Sequence, residues 1–113
     1  MAYEWFPLEQ KYTQQAKEGK IAEFKIGKKG YCLSYHKEKW YAFDAKCPHA
    51  NGPLGDGWID ENDCVICPWH RYAFDLKTGQ AERGGYYIEV YPVREKDGVI
   101  QIGFKKKQRG WFW

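Results

Sequence analysis

The segments Cys47-Pro48-His49 and Cys67-Pro68-Trp69-His70 decide the interpretation of this sequence, because each places one thiol and one imidazole within four residues. The pattern is Cys-x-His, an intervening stretch, then Cys-x-x-His. Proline follows each cysteine, and the prolines and glycines between 47 and 57 are typical of tight loops rather than strands. The sequence therefore predicts four metal-binding side chains that converge from two bent loops.

Two kinds of metal site use these donors. In a two-iron two-sulfur (2Fe-2S) cluster each iron takes two protein ligands, which suits two arms that each carry cysteine and histidine. A structural zinc ion also binds cysteine and histidine, but zinc fingers favour Cys-x-x-Cys and His-x-His arms. The mixed arms favour the iron-sulfur cluster, and a zinc-bound interaction module stays open as the alternative.

The sequence on both sides of the loops predicts antiparallel β-structure. Alternating residues over 20–26 and 31–36 flank a glycine-bounded turn and predict a hairpin, which the aromatic stretch 40–44 extends into a meander. Further strands are predicted at 58–60, 64–66, 73–75, 87–91 and 99–104, and a short helical turn is allowed at 8–15. The predicted fold class is all-β, an antiparallel β-sandwich or small barrel that carries two long loops.

Composition limits the chain to a small folded protein. Its 113 residues suit one domain, predicted as 1–113, with a cluster-binding subdomain at about 45–79. A net charge of +3 is too small to argue for nucleic acid. No apolar run is long enough to span a bilayer, and the segment Met1–Trp5 lacks the features of a signal peptide, so we expect a cytoplasmic protein without a membrane span.

The remaining cysteines and the third histidine have simpler interpretations. Cys32 and Cys64 lie in strand-like stretches, where a free cysteine usually packs as a small apolar residue. A reducing cytoplasm also favours metal binding over disulfides for the four cysteines. His36 has no partner at ligand spacing and is interpreted as a surface or hairpin residue.

The paired motif resembles that of the Rieske proteins and Rieske-type ferredoxins, and is also similar to that of the small subunit of assimilatory nitrite reductases. This resemblance implies a β-sandwich with one [2Fe-2S] cluster at its tip. Cys47 and Cys67 would hold the inner iron, and His49 and His70 would hold the outer iron through Nδ1. The resemblance extends over about 21–104, including Phe74-Asp75 and the closing hairpin around 91–99.

The sequence departs from the respiratory members of the family in ways that bear on the reduction potential. Those members carry two further cysteines that clamp the loops, at the places taken here by Gly52 and Trp69. They also place hydroxyl donors where this chain has Tyr72 and Phe74. Fewer hydrogen bonds to sulfur stabilise the reduced state less. We therefore expect a potential in the lower half of the Rieske range, which runs from about −150 to +300 mV.

The resemblance implies an electron carrier rather than a catalyst. Its partners would be a flavin-dependent reductase as donor and a terminal oxygenase, or another redox enzyme, as acceptor. The alternative in the same family is the small subunit of an assimilatory nitrite reductase. The acidic stretch Asp56–Asp63 is a candidate docking edge for a basic partner. The basic, aromatic tail 105–113 is a candidate contact with a membrane surface or a partner protein.

Overall fold

The computed structural model describes residues 2–106, which form ten β-strands and one α-helix. In chain order the elements are β1 Tyr3–Pro7, α1 Gln10–Lys17, β2 Ala22–Ile26, β3 Lys29–His36, β4 Lys39–Asp44, β5 Trp58–Ile59, β6 Cys64–Ile66, β7 Ala73–Asp75, β8 Val90–Tyr91, β9 Val93–Lys96 and β10 Val99–Lys105. The strands pair antiparallel in three sheets, with orders β1-β10-β9, β2-β3-β4-β8 and β5-β6-β7. The predicted all-β fold class is confirmed.

The structure differs from the sequence prediction at three places. Strand β1 was not predicted, the helix begins at Gln10 rather than Leu8, and the strand predicted at 87–91 is reduced to β8. Strand β8 is short because the Ile88 N–H donates to the Gly79 carbonyl oxygen at 2.8 Å, which draws Ile88 towards the turn that follows β7. No helix within residues 2–106 is long and apolar enough to cross a membrane. The tail from residue 107 onward lies outside the described residues.

Strands β3 and β4 form a wall between two hydrophobic cores. Cys32 lies opposite Phe43 in this pair of strands, and both are fully buried in the core that also contains the Cys47 and Cys67 side chains. The next pair, Leu33 and Ala42, belongs to the second core, shared with α1 and β10. This alternation follows from the period of two along a strand. The same wall therefore supports both the predicted ligand loops and the larger sandwich.

A charged contact connects the β3–β4 turn to the turn between β5 and β6. Asp63 Oδ1 lies 2.9 Å from His36 Nε2 and 2.9 Å from Lys37 Nζ, and Lys37 also donates to the Glu61 carbonyl oxygen at 3.0 Å. Hydrogen bonds from Lys37 and His36 hold the pKa of Asp63 below its usual value. His36 is confirmed as a hairpin residue at the end of β3, and its partner is Asp63, which lies 27 positions away in another hairpin.

Asp63→Asn is expected to lower stability near neutral pH and to weaken its dependence on acid. A carboxyl whose pKa is depressed in the folded state stabilises the protein above its unfolded pKa, and that contribution is lost as the pH falls through the folded value. Urea unfolding between pH 7 and pH 3 should show the larger acid loss in the parent protein. Asp97→Asn, in the exposed β9–β10 turn, is the matched control. Equal pH dependence in parent and Asp63→Asn would contradict the expectation.

Candidate metal centre

Two loops of similar construction carry the predicted ligands. The first follows β4 and closes with a hydrogen bond from the Cys47 N–H to the Gly52 carbonyl oxygen at 2.8 Å. The second joins β6 to β7 and closes in the same way, from the Cys67 N–H to the Tyr72 carbonyl oxygen at 2.9 Å. Each cysteine thus stands at the start of a loop that returns to it five residues later. This construction brings each histidine back over its own cysteine loop.

The second loop turns through left-handed backbone at His70 and Arg71, whose φ angles are 63° and 54°. This region is costly for residues with a Cβ and easy for glycine, which explains why the family often has glycine after the second histidine. Arg83 contacts this turn, because its Nη2 donates to the His70 carbonyl oxygen at 2.8 Å. The substitution of arginine for glycine therefore leaves the tight turn in place.

The two predicted histidine ligands face each other through the same ring nitrogen. His49 Nδ1 lies 3.4 Å from His70 Nδ1, and the rings are nearly perpendicular, with centroids 4.8 Å apart. His70 is exposed and His49 is half-buried. Two imidazoles that direct one nitrogen each towards a common point suit a shared metal ion.

The two predicted cysteine ligands are fully buried beneath the histidines. Both are free thiols, and they lie within hydrogen-bonding reach of each other. Burial raises the pKa of the Cys67 thiol to about 11, although the Trp69 backbone N–H donates a hydrogen bond to its sulfur. At neutral pH the Cys67 thiolate therefore needs a compensating positive charge, which a bound metal supplies.

The donors are arranged as two pairs rather than as one cluster. The two thiols lie within hydrogen-bonding reach of each other, and the two imidazole Nδ1 atoms lie 3.4 Å apart. A dinuclear iron-sulfur cluster needs two ligands at each iron, with the sulfides between them. Paired thiols below and paired imidazoles above therefore fit a 2Fe-2S cluster better than a tetrahedral zinc ion.

Gly52 leaves room for this arrangement. A Cβ at this position would lie 2.8 Å from Cys67 Sγ and 3.2 Å from Trp69 Cγ, so the two loops meet there. Gly52 and Trp69 occupy the places of the clamping cysteines in respiratory relatives, and the structure brings these two positions into contact. The loops are thus held by close packing of glycine against tryptophan rather than by a disulfide.

Gly52→Ala is expected to lower the cluster content of the purified protein severalfold, because the added methyl group displaces the Cys67 sulfur. Overpacking of this kind costs about 1–3 kcal/mol. Iron per chain and the ratio of visible to ultraviolet absorbance measure the effect. Gly55→Ala, in the turn that follows this loop, is the control, since the atom nearest its Cβ would be Oε1 of Glu23 at 2.6 Å, the far end of a flexible side chain that can turn aside. A fully loaded Gly52→Ala protein would contradict the expectation.

Aromatic side chains cover His49 in an arrangement that was not predicted from the sequence. Tyr72 stacks on the His49 ring at 4.3 Å and 25°, and Tyr86 meets the same ring edge-on at 5.5 Å. The Arg83 guanidinium lies 4.1 Å from the Tyr72 centroid. The pair Gly84-Gly85 is the sequence feature that could have indicated a tight turn here. Both glycines have positive φ, and the turn returns the chain over the ligand loops. Arg83 thereby contacts the second histidine loop at both His70 and Tyr72.

The remaining cysteines lie apart from the four predicted ligands. Cys32 is buried on β3, and burial raises the pKa of its thiol. Cys64 begins β6, with its thiol 3.7 Å from the Asn62 carbonyl oxygen, and burial followed by the charge of Asp60 raises its pKa. Neither has the low pKa of a reactive thiol. A redox role for the pair Cys64 and Cys67 is therefore not supported.

Comparison with known families agrees with this geometry, since the model of the Rieske [2Fe-2S] domain matches residues 4–91. The chain belongs to the Rieske family. The family's cofactor is a [2Fe-2S] cluster. The resemblance inferred from the two motifs is thereby confirmed.

Rieske relatives of several kinds are similar to this chain. A Rieske domain-containing protein of Homo sapiens is 41% identical over 63 residues, which are 53% of this chain and 38% of that protein. The ferredoxin subunit of 3-phenylpropionate/cinnamic acid dioxygenase from Photorhabdus laumondii is 33% identical, over 67% of this chain and 74% of that protein. The chain thus spans well under half of the human relative but most of the bacterial one.

Solved Rieske structures share the fold. A chain from the complex of reduced oxygenase and oxidised ferredoxin in carbazole 1,9a-dioxygenase has a TM-score of 0.67 and 25% identity, over 74% of this chain and 88% of that one. A protein described as a nitrite reductase small subunit from Mycobacterium tuberculosis has a TM-score of 0.80 at 17% identity, over 95% of this chain and all of that one. At that identity the second likeness concerns the fold alone.

Proposed function

We propose that this chain is a low-potential Rieske-type ferredoxin that carries single electrons from a flavin-dependent reductase to a terminal oxygenase. The observation that carries the proposal is the pairing of two buried thiols with two imidazoles that face each other across 3.4 Å. Cys47 and Cys67 would hold the inner iron, and His49 and His70 the outer one. When bound, the cluster supplies a one-electron couple.

The protein contributes position and electrostatics. Buried cysteines exclude water from one side of the site, and the exposed His70 leaves the other side open to a partner. The Trp69 N–H donates to the Cys67 sulfur, a contact that becomes more favourable as the sulfur gains negative charge. Tyr72 and Arg83 fix the orientation of the histidine loops. These features suit electron transfer near the surface.

The choice of partner follows the relatives. The bacterial relative is the ferredoxin subunit of a dioxygenase, and the similar solved chain comes from a complex of an oxygenase with a ferredoxin. A reductase as electron donor and a cytoplasmic location remain part of the proposal, and free cysteines suit a reducing compartment. No observation on the described residues favours the nitrite reductase subunit or the zinc-bound module.

Spectroscopy of the purified protein tests the proposal. We expect a coloured protein with two irons and two sulfides per chain. After dithionite reduction it should give an electron paramagnetic resonance (EPR) signal with the low average g of mixed cysteine and histidine ligation. A colourless, EPR-silent protein that contains zinc would refute it. If the cluster is present, turnover of a candidate oxygenase with a flavoprotein reductase and this chain then tests the partners.

A further inference from the structure

We infer that the surface around the two histidines docks a redox partner through carboxylates on that partner. We call this the tip surface and define it by Trp58, Trp69, His70 and Arg71. The inference rests on the proposed function and adds the chemistry of the partner: a patch of Asp and Glu side chains around an apolar recess that receives Trp69. Electrons would then cross at His70, which is exposed.

The charges of the tip surface are positive. The ligand loops 46–53 and 67–74 contain Lys46 and Arg71, both exposed, and no carboxylate. Within residues 2–106 neither has an ion pair, whereas Arg83 lies 3.9 Å from Glu82. Because the Arg83–Glu82 pair is exposed, Glu82 neutralises little of the positive charge of Arg83. An anionic partner would therefore meet the unpaired guanidinium of Arg71 beside the exposed histidine.

The aromatic residues of the tip surface are exposed and held in place. Trp69 is 49% exposed and Trp58 is 43% exposed, although both side chains are large and apolar. The Arg71 guanidinium lies 5.7 Å from the Trp58 ring centroid, so the cation and the ring form one platform. Tryptophan and arginine are the residue types that dominate binding energy at protein interfaces. Arg71, the cation of this platform, directly follows His70 in the chain.

Three of the four carboxylates of the acidic stretch, Asp60, Glu61 and Asp63, lie at the other end of the β5–β6 hairpin, whereas the exposed Asp56 precedes Trp58. Trp58 pairs with Ile66 at the end that leads into Cys67, whereas the turn 60–63 closes the opposite end. Asp60 accepts the N–H groups of Asn62 and Cys64, and Asp63 binds His36 and Lys37. These carboxylates stabilise turns away from the histidines. The inferred docking surface is therefore the basic tip rather than the acidic stretch predicted from the sequence.

Small inorganic electron acceptors test the sign of the charge on the tip surface, and they do so without a known protein partner. Reduced protein passes one electron to hexacyanoferrate(III), which becomes hexacyanoferrate(II), while the protein is oxidised by one electron. Stopped-flow rates for this anion should fall with added salt, and rates for cationic hexaamminecobalt(III) should rise. Arg71→Gln should slow the reaction with the anion about threefold to tenfold at low ionic strength.

Arg94→Gln is the matched control. Its guanidinium also lies over a tryptophan, 4.2 Å from the Trp5 centroid, but on the β1-β10-β9 sheet. This variant should change the rate less than twofold. Reduction potentials of both variants show whether a rate change reflects driving force. Rates for the anion that rise with salt, or equal effects of the two substitutions at unchanged potential, would overturn the inference.

A binding measurement separates this inference from the proposed function. Redox-inert, paramagnetic hexacyanochromate(III) broadens nuclear magnetic resonance signals of nearby protons. In the oxidised protein we expect the Trp58 and Trp69 indole N–H signals to broaden first, and Arg71→Gln to reduce the effect severalfold. If the EPR signal is normal but broadening occurs elsewhere, the docking surface is wrong and the carrier function stands. If the cluster is absent, the proposed function fails and the docking inference fails with it.

Discussion

Cys67→Ala is expected to yield a colourless protein without the EPR signal of a reduced cluster. The thiolate of Cys67 is one of two that would hold the inner iron, and alanine offers no ligand in its place. The fully buried position prevents water from replacing it efficiently. Cys47→Ala should behave in the same way. Iron content, visible absorbance and EPR after dithionite measure the loss.

Cys32→Ala provides a demanding control for this result. Cys32 is also fully buried, and it belongs to the same hydrophobic core as Cys47 and Cys67. Its side chain lies on β3 rather than on a ligand loop, so its removal leaves a small cavity that costs about 1–2 kcal/mol. We expect Cys32→Ala to keep its cluster. Loss of the cluster in Cys32→Ala, or retention in Cys67→Ala, would contradict the proposed ligand set.

The parts of the fold that could be predicted are those that depend on neighbours in sequence. The hairpin of β2 and β3 has its turn between two alternating segments, and the structure pairs Phe24 with Tyr31 as that turn requires. Strand β1 escaped prediction because its partner β10 begins more than 90 residues later. There Trp5 lies opposite Gly103, where a Cβ would come within 2.8 Å of the indole ring. Nothing near Trp5 in the sequence signals that fit.

In the candidate site, too, the features set by neighbouring residues could be predicted and those set by distant contacts could not. Cys47, His49, Cys67 and His70 were predictable because ligand spacing within each loop is local, and the structure brings them together in two pairs. The contact of Arg83 with the His70 carbonyl could not be predicted, since it depends on how a distant loop returns over the site. The position of Asp60 and Asp63 was not predictable either, because composition does not show which end of a hairpin faces the ligand loops.

The reduction potential of the protein is expected to lie below about +75 mV, the midpoint of the Rieske range. The full side chain of Phe74 is buried in the core beside the cysteines, at the place where respiratory relatives carry a hydroxyl donor. Within residues 2–106 the Tyr72 hydroxyl makes no hydrogen bond, and its ring stacks on His49 instead. Titration with redox mediators measures the potential, and a value near +300 mV would refute the expectation.

The opposing influence on the potential comes from Arg71 and Arg83, whose positive charges favour the reduced state. Both are exposed, so water and salt screen them, and their effect is small compared with a hydrogen bond made in the buried core. Each 1 kcal/mol of preference for the reduced state raises a one-electron potential by about 40 mV. Missing donors to sulfur should therefore outweigh the two arginines, and high salt should change the potential little.

Phe74→Tyr tests this cause directly. A hydroxyl that reaches a cluster or cysteine sulfur should raise the potential by about 40 mV or more, because hydrogen bonds to sulfur strengthen as negative charge is added. Tyr72→Phe is the control, since it removes a hydroxyl but keeps the ring over His49, and its potential should stay within about 20 mV of the parent value. If Phe74→Tyr folds, holds its cluster and leaves the potential unchanged, the absence of this donor does not set the low potential. Charge and solvent exposure at the histidines would then have to supply the difference.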